Sequence, residues 1–299
     1  MPYMEKNENM NNMSLTLIVM STKSVEDVVH AFDALFAFSP QWIEAPFAFE
    51  IELTNQSAKQ EAEYQLSCIM KGDTPLDIAL LPSHNRHKKL FISDMDSTLI
   101  HQECIDETAD ALGLKKQVAL ITEKAMRGEI DFHKALHERV ALLKGLSETA
   151  LLEIWQDKIS IMEGAKPCLQ RMKQNGATTI LVSGGFTFFA EKVAKILGFD
   201  YYYANELVIE KGVLTGEVKE PILGQEAKLD YLKQHINALG ITQHDAIAIG
   251  DGANDLKMIG HAGMGIAYQA KPAVRHEAAF QLNHTDLRGV LYLQGYGQQ

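Results

Sequence analysis

Residues 91–98 read Phe91-Ile92-Ser93-Asp94-Met95-Asp96-Ser97-Thr98, and the fold of this chain is predicted most directly from them. It places two carboxylates, one residue apart, directly after the short apolar run 90–92. Such a run predicts a buried strand, and charges are costly to bury unless they are paired. The two acids at the end of this strand therefore indicate a bound cation, a shared proton or a catalytic role.

Three apolar runs further along the chain repeat the pattern of a short strand followed by a helix. They are Thr179–Val182, Ala246–Ile249 and Gly265–Ala267. Fully apolar strands that alternate with helices predict an α/β fold, with a Rossmann-like parallel sheet covered by helices. Ligands of such sheets bind beyond the carboxyl ends of the strands. Asp94 and Asp96 lie at such an end.

Residues 104–160 contain four helical patches and no strand-like run. Because they follow the first strand of the sheet, they predict a helical cap that could close over the strand ends. Residues 206–216 alternate around Glu210-Lys211-Gly212, which predicts a β-hairpin.

The first 88 residues show a different pattern, that of a small α+β domain and its linker. Residues 15–20 predict a strand, and residues 24–37 carry apolar side chains at helical spacing. Three more β-like stretches follow, at 47–53, 64–70 and 76–81, and residues 83–89 form a polar linker. We therefore expect one domain over residues 1–88 and a second over residues 89–299, with the cap at about 104–160.

Composition excludes several classes of partner. The formal net charge is −11, and both predicted domains are acidic, which argues against nucleic acid or an anionic membrane as partner. The three cysteines show no paired spacing, so we expect a reducing compartment. Residues 1–14 lack a signal-peptide pattern, and no apolar run reaches the ~18 residues of a membrane span. These features predict a soluble, cytoplasmic protein.

Three further motifs fall at or near the predicted strand ends. Ser183-Gly184-Gly185 offers a hydroxyl and backbone N–H groups to a phosphate, and Lys228 offers a positive charge. The loop Gly250–Asp255 adds carboxylates suited to Mg²⁺. Each motif alone is readily explained as a turn, a solvated lysine or a loop. Together, in this order, they indicate phosphoryl transfer.

This ordered set resembles the haloacid dehalogenase superfamily of phosphotransferases over roughly residues 88–290. The resemblance implies that Asp94 is the nucleophile, that Asp96 transfers protons, and that an aspartyl phosphate forms and is hydrolysed. It implies Mg²⁺ as cofactor, held by Asp94, Asp251 and the backbone carbonyl of Asp96. Four residues would hold the phosphoryl oxygens or the substrate near them, namely Ser183, Gly184, Lys228 and Asn254, while Asp255 would orient the metal loop.

The residues around these motifs resemble the branch of the superfamily that hydrolyses phosphoserine in the last step of serine biosynthesis. The matching stretches are 94–107, 125–132, 139–140, 183–187 and 250–255. The resemblance implies that Glu103 binds the substrate ammonium and Arg139 its carboxylate. A zwitterionic substrate needs one anion and one cation, and an arginine fork suits a carboxylate. Met126 and Phe132 would give the cap an apolar lining.

Members of this branch often carry an N-terminal ACT-type domain, and the first 88 residues are compatible with a degenerate form of it. The turn after Met20 lacks the glycine of a ligand-binding ACT loop. We therefore expect this domain to pack or to form a homodimer rather than to sense serine. The alternatives are a broader small-metabolite phosphatase, a phosphotransferase or mutase, and a regulatory amino-acid-binding protein whose phosphatase domain has decayed.

Overall fold

A computed structural model of the chain describes residues 14–35, 40–54, 58, 60, 75–126 and 129–297. Of these, residues 31–35 and 126 are described by their backbone alone. The described residues form a four-stranded sheet, a six-stranded sheet and a two-stranded hairpin. The β-like stretch expected at 64–70 lies outside the described residues.

The N-terminal sheet is antiparallel, and its strand order is β2-β3-β1-β4. Its strands are β1 (Leu15–Met20), β2 (Gln41–Glu44), β3 (Ala48–Leu53) and β4 (Asp77–Pro82), with helix α1 (Glu26–Leu35) after β1. Ala58 and Gln60 are also helical, so helical backbone follows β3, where the sequence showed no clear helix.

Both faces of this N-terminal sheet are covered, which explains why every residue of β1 is buried. Leu17 and Val19 pack in a cluster with Val25, next to α1. Ile18 and Met20 point to the other face and belong to the main hydrophobic cluster of the six-stranded part. An amphipathic strand would bury only one of these faces. The burial of side chains on both faces of β1 therefore shows that a second layer covers the sheet.

Asp77, at the start of β4, anchors the N-terminal sheet to the rest of the chain. Its carboxylate is buried and accepts hydrogen bonds from the backbone N–H groups of Asn283, His284 and Thr285, at 2.7 to 2.9 Å. Charged acceptors form stronger hydrogen bonds than neutral ones. This carboxylate therefore ties the edge of one sheet to a loop that follows the other.

We expect Asp77→Asn to lower the free energy of unfolding by about 1–3 kcal/mol, because an amide cannot accept all three of these bonds. Urea denaturation would measure the change. Asp27→Asn is the matched control, since Asp27 is exposed on α1 and should shift stability by less than about 1 kcal/mol. Equal stability of the two variants would contradict an anchoring role for Asp77.

The six-stranded sheet has the order β12-β11-β10-β5-β6-β7, and its strand pairs are parallel. Its strands are β5 (Leu90–Ser93), β6 (Thr178–Phe186), β7 (Tyr201–Asn205), β10 (Ala246–Gly250), β11 (Met264–Tyr268) and β12 (Phe280–Leu282). The predicted α/β fold with a parallel sheet is confirmed. The edge strands β7 and β12 were not predicted, because β7 is partly exposed and β12 has only 3 residues.

The predicted helical patches after β5 are present as α2 (Cys104–Asp110), α3 (Lys115–Met126), α4 (Phe132–Ala141) and α5 (Glu148–Lys158). The remaining helices of this part are α6 (Ala165–Gln174), α7 (Thr187–Leu197), α8 (Gln225–Leu239), α9 (Leu256–His261), α10 (Pro272–Glu277) and α11 (Gly289–Gln294). Asp131 and Ser147 begin α4 and α5 as N-cap residues, since each side chain accepts a backbone N–H.

The predicted hairpin is formed by β8 (Leu207–Glu210) and β9 (Val213–Val218). It is joined to the helical cap, because Gly145 donates to the carbonyl of Leu214 and Leu214 donates to the carbonyl of Leu146, both at 2.8 Å. The cap helices and the hairpin are thus bonded to each other beside the strand ends.

Cys104 and Cys168 are buried free thiols, and Cys68 lies outside the described residues. Within the described part of the chain, no helix combines the length and the apolar character needed to cross a membrane.

Candidate active site

A cavity of about 480 Å³ opens at the carboxyl ends of β5, β6 and β10 and is bounded on its other side by the cap. Eight of the residues expected to act on the substrate or metal line it, and they are Asp94, Asp96, Glu103, Phe132, Arg139, Gly184, Asp251 and Asn254. Ser183, Lys228 and Asp255 are buried and bond to residues at its floor. The topology therefore brings residues separated by up to 161 positions, Asp94 and Asp255, into one site.

Asp94 follows β5 and is held by two bonds that both end on its Oδ1 atom. The backbone N–H of Met95 donates to Oδ1 at 2.7 Å, and Lys228 Nζ lies 2.7 Å from the same oxygen. Among the described residues, Oδ2 has no hydrogen-bond partner. The carboxylate is therefore fixed in orientation while one oxygen stays available for a reacting atom.

Asp96 lies at the cavity wall and can hold a proton near neutral pH. Burial raises its pKa to about 7, and the neighbouring Glu103 and Asp94 add to this shift. The Ser183 hydroxyl donates to Asp96 Oδ2 at 3.2 Å, and the backbone N–H of Cys104 donates to Oδ1 at 2.9 Å. A carboxyl with such a pKa suits general acid and general base catalysis.

Lys228 is fully buried between two carboxylates at the floor of the cavity. Its Nζ lies 2.7 Å from Asp94 Oδ1 and 2.6 Å from Asp255 Oδ1. Burial alone would lower the pKa of Lys228, but Asp255 and Asp94 outweigh it and raise this pKa above the ordinary lysine value. The ammonium is therefore charged and its position is fixed.

Three acids could hold a metal ion, since oxygen atoms of Asp94, Asp251 and Asp255 lie within 4.8 Å of one another. Burial raises the pKa of Asp251 to about 7, and Asp94 and Glu103 contribute to the shift. Burial and Asp94 raise the pKa of Asp255 to about 8. Clustered carboxylates that repel one another suit a hard divalent cation.

Within this cluster Asp255 is already engaged by protein groups. Its Oδ1 accepts from Lys228, and its Oδ2 accepts the backbone N–H of Gly252 at 3.1 Å. Gly250 permits this packing, because a Cβ there would lie 2.4 Å from the Asp255 carboxyl carbon. Asp94 and Asp251 thus have the more available oxygens, and Asp255 shapes the loop that carries Asp251.

The residues expected to recognise the substrate carry opposite charges in the same cavity. Glu103 begins α2, and Arg139 lies on α4 with its Nε donating to the carbonyl of Ala135 at 3.2 Å. Among the described residues, Arg139 forms no ion pair within 4.0 Å, so much of its guanidinium is free for a ligand. An anion and an unpaired cation lining one cavity suit a zwitterion.

Phe132 lies where the cap meets the strand ends. A Cβ on Gly184 would lie 3.4 Å from its ring, and one on Gly224 would lie 3.2 Å from it. The absence of side chains at these two glycines therefore lets the aromatic ring approach the loops closely. The side chain of Met126 lies outside the described part of the structure.

The segment around Ser183 differs from the expectation that the strand ends at Val182. Strand β6 continues to Phe186 through an irregular pairing between Val182 and Phe186. This irregular pairing brings Gly185 so close to Asp96 that a Cβ added at Gly185 would lie 2.7 Å from Asp96 Oδ2. Such bulges re-aim side chains next to functional sites. Here Ser183 points at Asp96.

Two residues of the site were not identified from the sequence. Asn205 is buried at the end of β7 and donates to the carbonyls of Gly184 and Leu223, while it accepts the N–H of Leu223. It therefore fixes two backbone segments that approach Phe132, the end of β6 and the residues before α8. Lys271 lines the cavity mouth, and its N–H donates to the carbonyl of Asp251. No sequence signal marked the first, because β7 itself was not predicted and the burial of Asn205 is visible only in the structure.

The chain belongs to the haloacid dehalogenase-like hydrolases, whose family model matches residues 91–260. A phosphoserine phosphatase from Polaromonas sp. is 46% identical over 210 residues, which cover 69% of this chain and 89% of that protein. Members of this family of phosphatases depend on a metal ion, and the cluster of three aspartates is where this chain could hold one.

Two solved structures resemble the chain closely. The crystal structure of a haloacid dehalogenase family hydrolase from Salmonella enterica serovar Typhi covers 94% of this chain and 98% of its own, with 29% identity and a TM-score of 0.81. A phospho-aspartyl intermediate analogue of phosphoserine phosphatase covers 68% of this chain and 97% of its own, with 39% identity and a TM-score of 0.64.

Proposed function

We propose that this chain hydrolyses O-phospho-L-serine to L-serine and phosphate through an aspartyl phosphate at Asp94, as the last step of serine biosynthesis. The observation that carries the proposal is the composition of one cavity. It combines Asp94 and Asp96 with a cation, Arg139, and an anion, Glu103. Its relatives are phosphoserine phosphatases, one of them solved as a phospho-aspartyl intermediate analogue.

In the first step, Asp94 Oδ2 attacks phosphorus and forms a P–O bond while the bond to the serine oxygen breaks. Lys228 holds Asp94 in place and offsets charge on the transferring group. Asp96, whose pKa is about 7, gives its proton to the departing serine oxygen. The expelled group therefore leaves as an alcohol.

In the second step, the now charged Asp96 takes a proton from water, and the oxygen of that water attacks phosphorus. The P–O bond to Asp94 breaks, phosphate leaves, and both aspartates return to their starting states. Ser183 keeps Asp96 in place through its hydroxyl, 3.2 Å from Oδ2. Ser183, Gly184 and Asn254 are proposed to hold the phosphoryl oxygens or the substrate near them.

Recognition of the serine part is assigned to the two charged groups of the cavity. Glu103 would bind the substrate ammonium, and Arg139 would bind the carboxylate through nitrogens that no carboxylate of the described residues occupies. Phe132 supplies apolar surface at the cap and excludes bulk water from the acyl phosphate. Met126 is proposed for the same lining by its place at the end of α3.

Arg139→Ala should raise the KM for phosphoserine by at least about 100-fold, because a buried charge-assisted pair is lost. Its effect on an aryl phosphate, which has no carboxylate, should stay below about fivefold. Steady-state kinetics on both substrates would measure the difference. His137→Ala, exposed on the same helix, serves as the control. Equal losses on the two substrates would remove the carboxylate-binding role of Arg139.

We propose Mg²⁺ as the metal, held by Asp94, Asp251 and the backbone carbonyl of Asp96, with Asp255 supporting the loop. The oxygen-only donor set suits Mg²⁺, which binds carboxylates and substrate phosphates together. When bound, the ion would neutralise charge on the phosphoryl group.

Divalent metal should therefore stabilise the protein more at pH 8 than at pH 5.5. Burial raises the pKa of Asp251 from 3.8 to about 7, so its contribution to metal-free stability is present below pH 3.8 and is lost as the pH rises through 7. A bound metal ion competes with the proton on Asp251. It therefore supplies stabilisation that the metal-free protein loses as the pH rises. Thermal unfolding with Mg²⁺ or EDTA at each pH would measure this, and a shift independent of pH would contradict it.

The proposed function is tested by phosphate release from a panel of L-phosphoserine, phosphothreonine and a sugar phosphate, with Mg²⁺ or with EDTA. We expect release that depends on Mg²⁺ and is fastest with phosphoserine. Equal rates across the panel would favour a broader phosphatase, and transfer to an added alcohol in place of water would favour a phosphotransferase.

We also propose that the chain divides into an ACT-like domain over residues 1–88, which includes the linker, and a phosphatase domain over residues 89–299. Support for a packing role of the first domain comes from Asp77 and from the shared hydrophobic cluster. A homodimer through this domain stays a prediction that the mass in light scattering would test. Location in the cytoplasm is likewise a prediction.

A further inference from the structure

Two residues near the catalytic aspartates are of types that are not preferred at their backbone positions. Ser97 has a positive φ of 54°, a left-handed conformation that favours glycine and is costly for other residues. Glu103 occupies the N-cap position of α2, where shorter polar side chains are preferred, and its side chain makes no capping hydrogen bond. Unfavourable choices of this kind concentrate at functional sites.

A direct hydrogen bond joins these two residues. The hydroxyl of Ser97 donates to Glu103 Oε1 at 2.8 Å. The backbone N–H of Ser97 also donates to the carbonyl of Gln102, at 3.4 Å, so the loop between them is closed by two bonds. The left-handed backbone of Ser97 thus allows both its N–H and its hydroxyl to reach the end of the same loop.

The bond also explains why Glu103 faces the cavity rather than its own helix. A carboxylate at a helix start is drawn to the free N–H groups of the first turn. In this chain the N–H of Cys104 donates to Asp96 Oδ1 at 2.9 Å, and the N–H of Asp106 donates to the backbone carbonyl of Glu103 at 3.0 Å. The side chain of Glu103 therefore bonds to Ser97 through Oε1. The second oxygen of Glu103, Oε2, has no hydrogen-bond partner among the described residues.

We propose that Ser97 is a positioning residue that holds Glu103 in the orientation that receives the substrate ammonium, an inference that rests on the proposed function. A serine stands at this left-handed position because glycine, which would suit the backbone better, has no hydroxyl to offer Glu103. Ser97 acts on substrate binding through Glu103 and does not itself touch the reacting atoms.

The test compares phosphoserine with its deamino analogue, in which hydrogen replaces the ammonium group. Ser97→Gly should raise the KM for phosphoserine about tenfold, with kcat changed less than about twofold, since one orienting hydrogen bond is lost. The KM for the deamino analogue should change less than about twofold, because that substrate has no group for Glu103. Ser97→Gly should also unfold at the same or a higher temperature than the parent protein, because glycine adopts positive φ without strain.

Two further variants separate the hydroxyl from the backbone. Ser97→Ala keeps the Cβ and should show the same rise in KM. Ser97→Asn should recover part of the affinity, because asparagine tolerates the left-handed region and its amide can donate to Glu103. In a Glu103→Gln background, Ser97→Gly should have little additional effect, since coupled residues are not additive.

The outcomes distinguish this inference from the proposed function. If the parent protein prefers phosphoserine over the deamino analogue but Ser97→Gly keeps that preference, the role of Ser97 is overturned and that of Glu103 stands. An undiminished effect of Ser97→Gly in the Glu103→Gln background would also overturn it. If the parent protein shows no preference between the two substrates, ammonium binding by Glu103 fails and the role of Ser97 fails with it.

Discussion

Asp94→Asn abolishes turnover in our account, with a loss of at least about 10⁴-fold in kcat, because an amide oxygen cannot serve as the covalent nucleophile. The fold should persist. Lys228 keeps its second carboxylate, Asp255, at 2.6 Å, and the loss of one acid relieves the repulsion that raises the pKa values of Asp251 and Asp255.

Phosphate release and near-ultraviolet circular dichroism would be measured on the same preparation of Asp94→Asn. Asp200→Asn is a suitable control, because Asp200 accepts bonds from Thr179 at the far end of β6 and does not line the cavity. The Asp200→Asn variant should keep its catalytic activity even if its free energy of unfolding falls. Ordinary Mg²⁺-dependent activity in Asp94→Asn would remove Asp94 as the nucleophile.

Lys228→Met should lower both stability and activity strongly. The side chain is fully buried between Asp94 and Asp255, and its removal leaves two buried carboxylates without their cation. Breaking a buried ion pair in this way costs about 3–5 kcal/mol of unfolding free energy. Because the ammonium also orients Asp94, the proposed nucleophile, kcat should fall by at least about 10³-fold.

Urea denaturation and phosphate release would measure the two effects of Lys228→Met, with Lys233→Met as the matched control on the same helix. Lys233 is exposed and should shift stability by less than about 0.5 kcal/mol. Added Mg²⁺ should recover part of the stability of Lys228→Met, because a metal ion would neutralise Asp94. A variant as stable and active as the parent protein would contradict the role given to this lysine.

The central part of the site was predictable because its residues follow apolar strands. Asp94 and Asp251 each stand directly after a buried strand, β5 or β10, and parallel strands bring their carboxyl ends to one edge. Lys228 was predictable only as one of the ordered motifs of the superfamily. Nothing in its local sequence shows that the side chain is fully buried between two acids.

The parts that the sequence did not reveal depend on long-range contacts or on unusual backbone. Strand β7 escaped prediction because its tyrosines are partly exposed at a sheet edge. Asn205 bonds to backbone carbonyl groups 21 and 18 residues away in sequence, those of Gly184 and Leu223. Ser97 has a positive φ, and local residue preference predicts such a conformation for glycine rather than serine. Each of these features follows from tertiary structure.

In the proposed mechanism the phosphoryl group passes through Asp94. A rapid acid quench during turnover of phosphoserine, followed by borohydride reduction and peptide mass spectrometry, would test it directly. An aspartyl phosphate at this position is reduced to homoserine, whereas a free aspartate is not. We predict homoserine at position 94, formed only when both phosphoserine and Mg²⁺ are present. Continued turnover with an unmodified Asp94, or with the modification at another residue, would rule out Asp94 as the nucleophile.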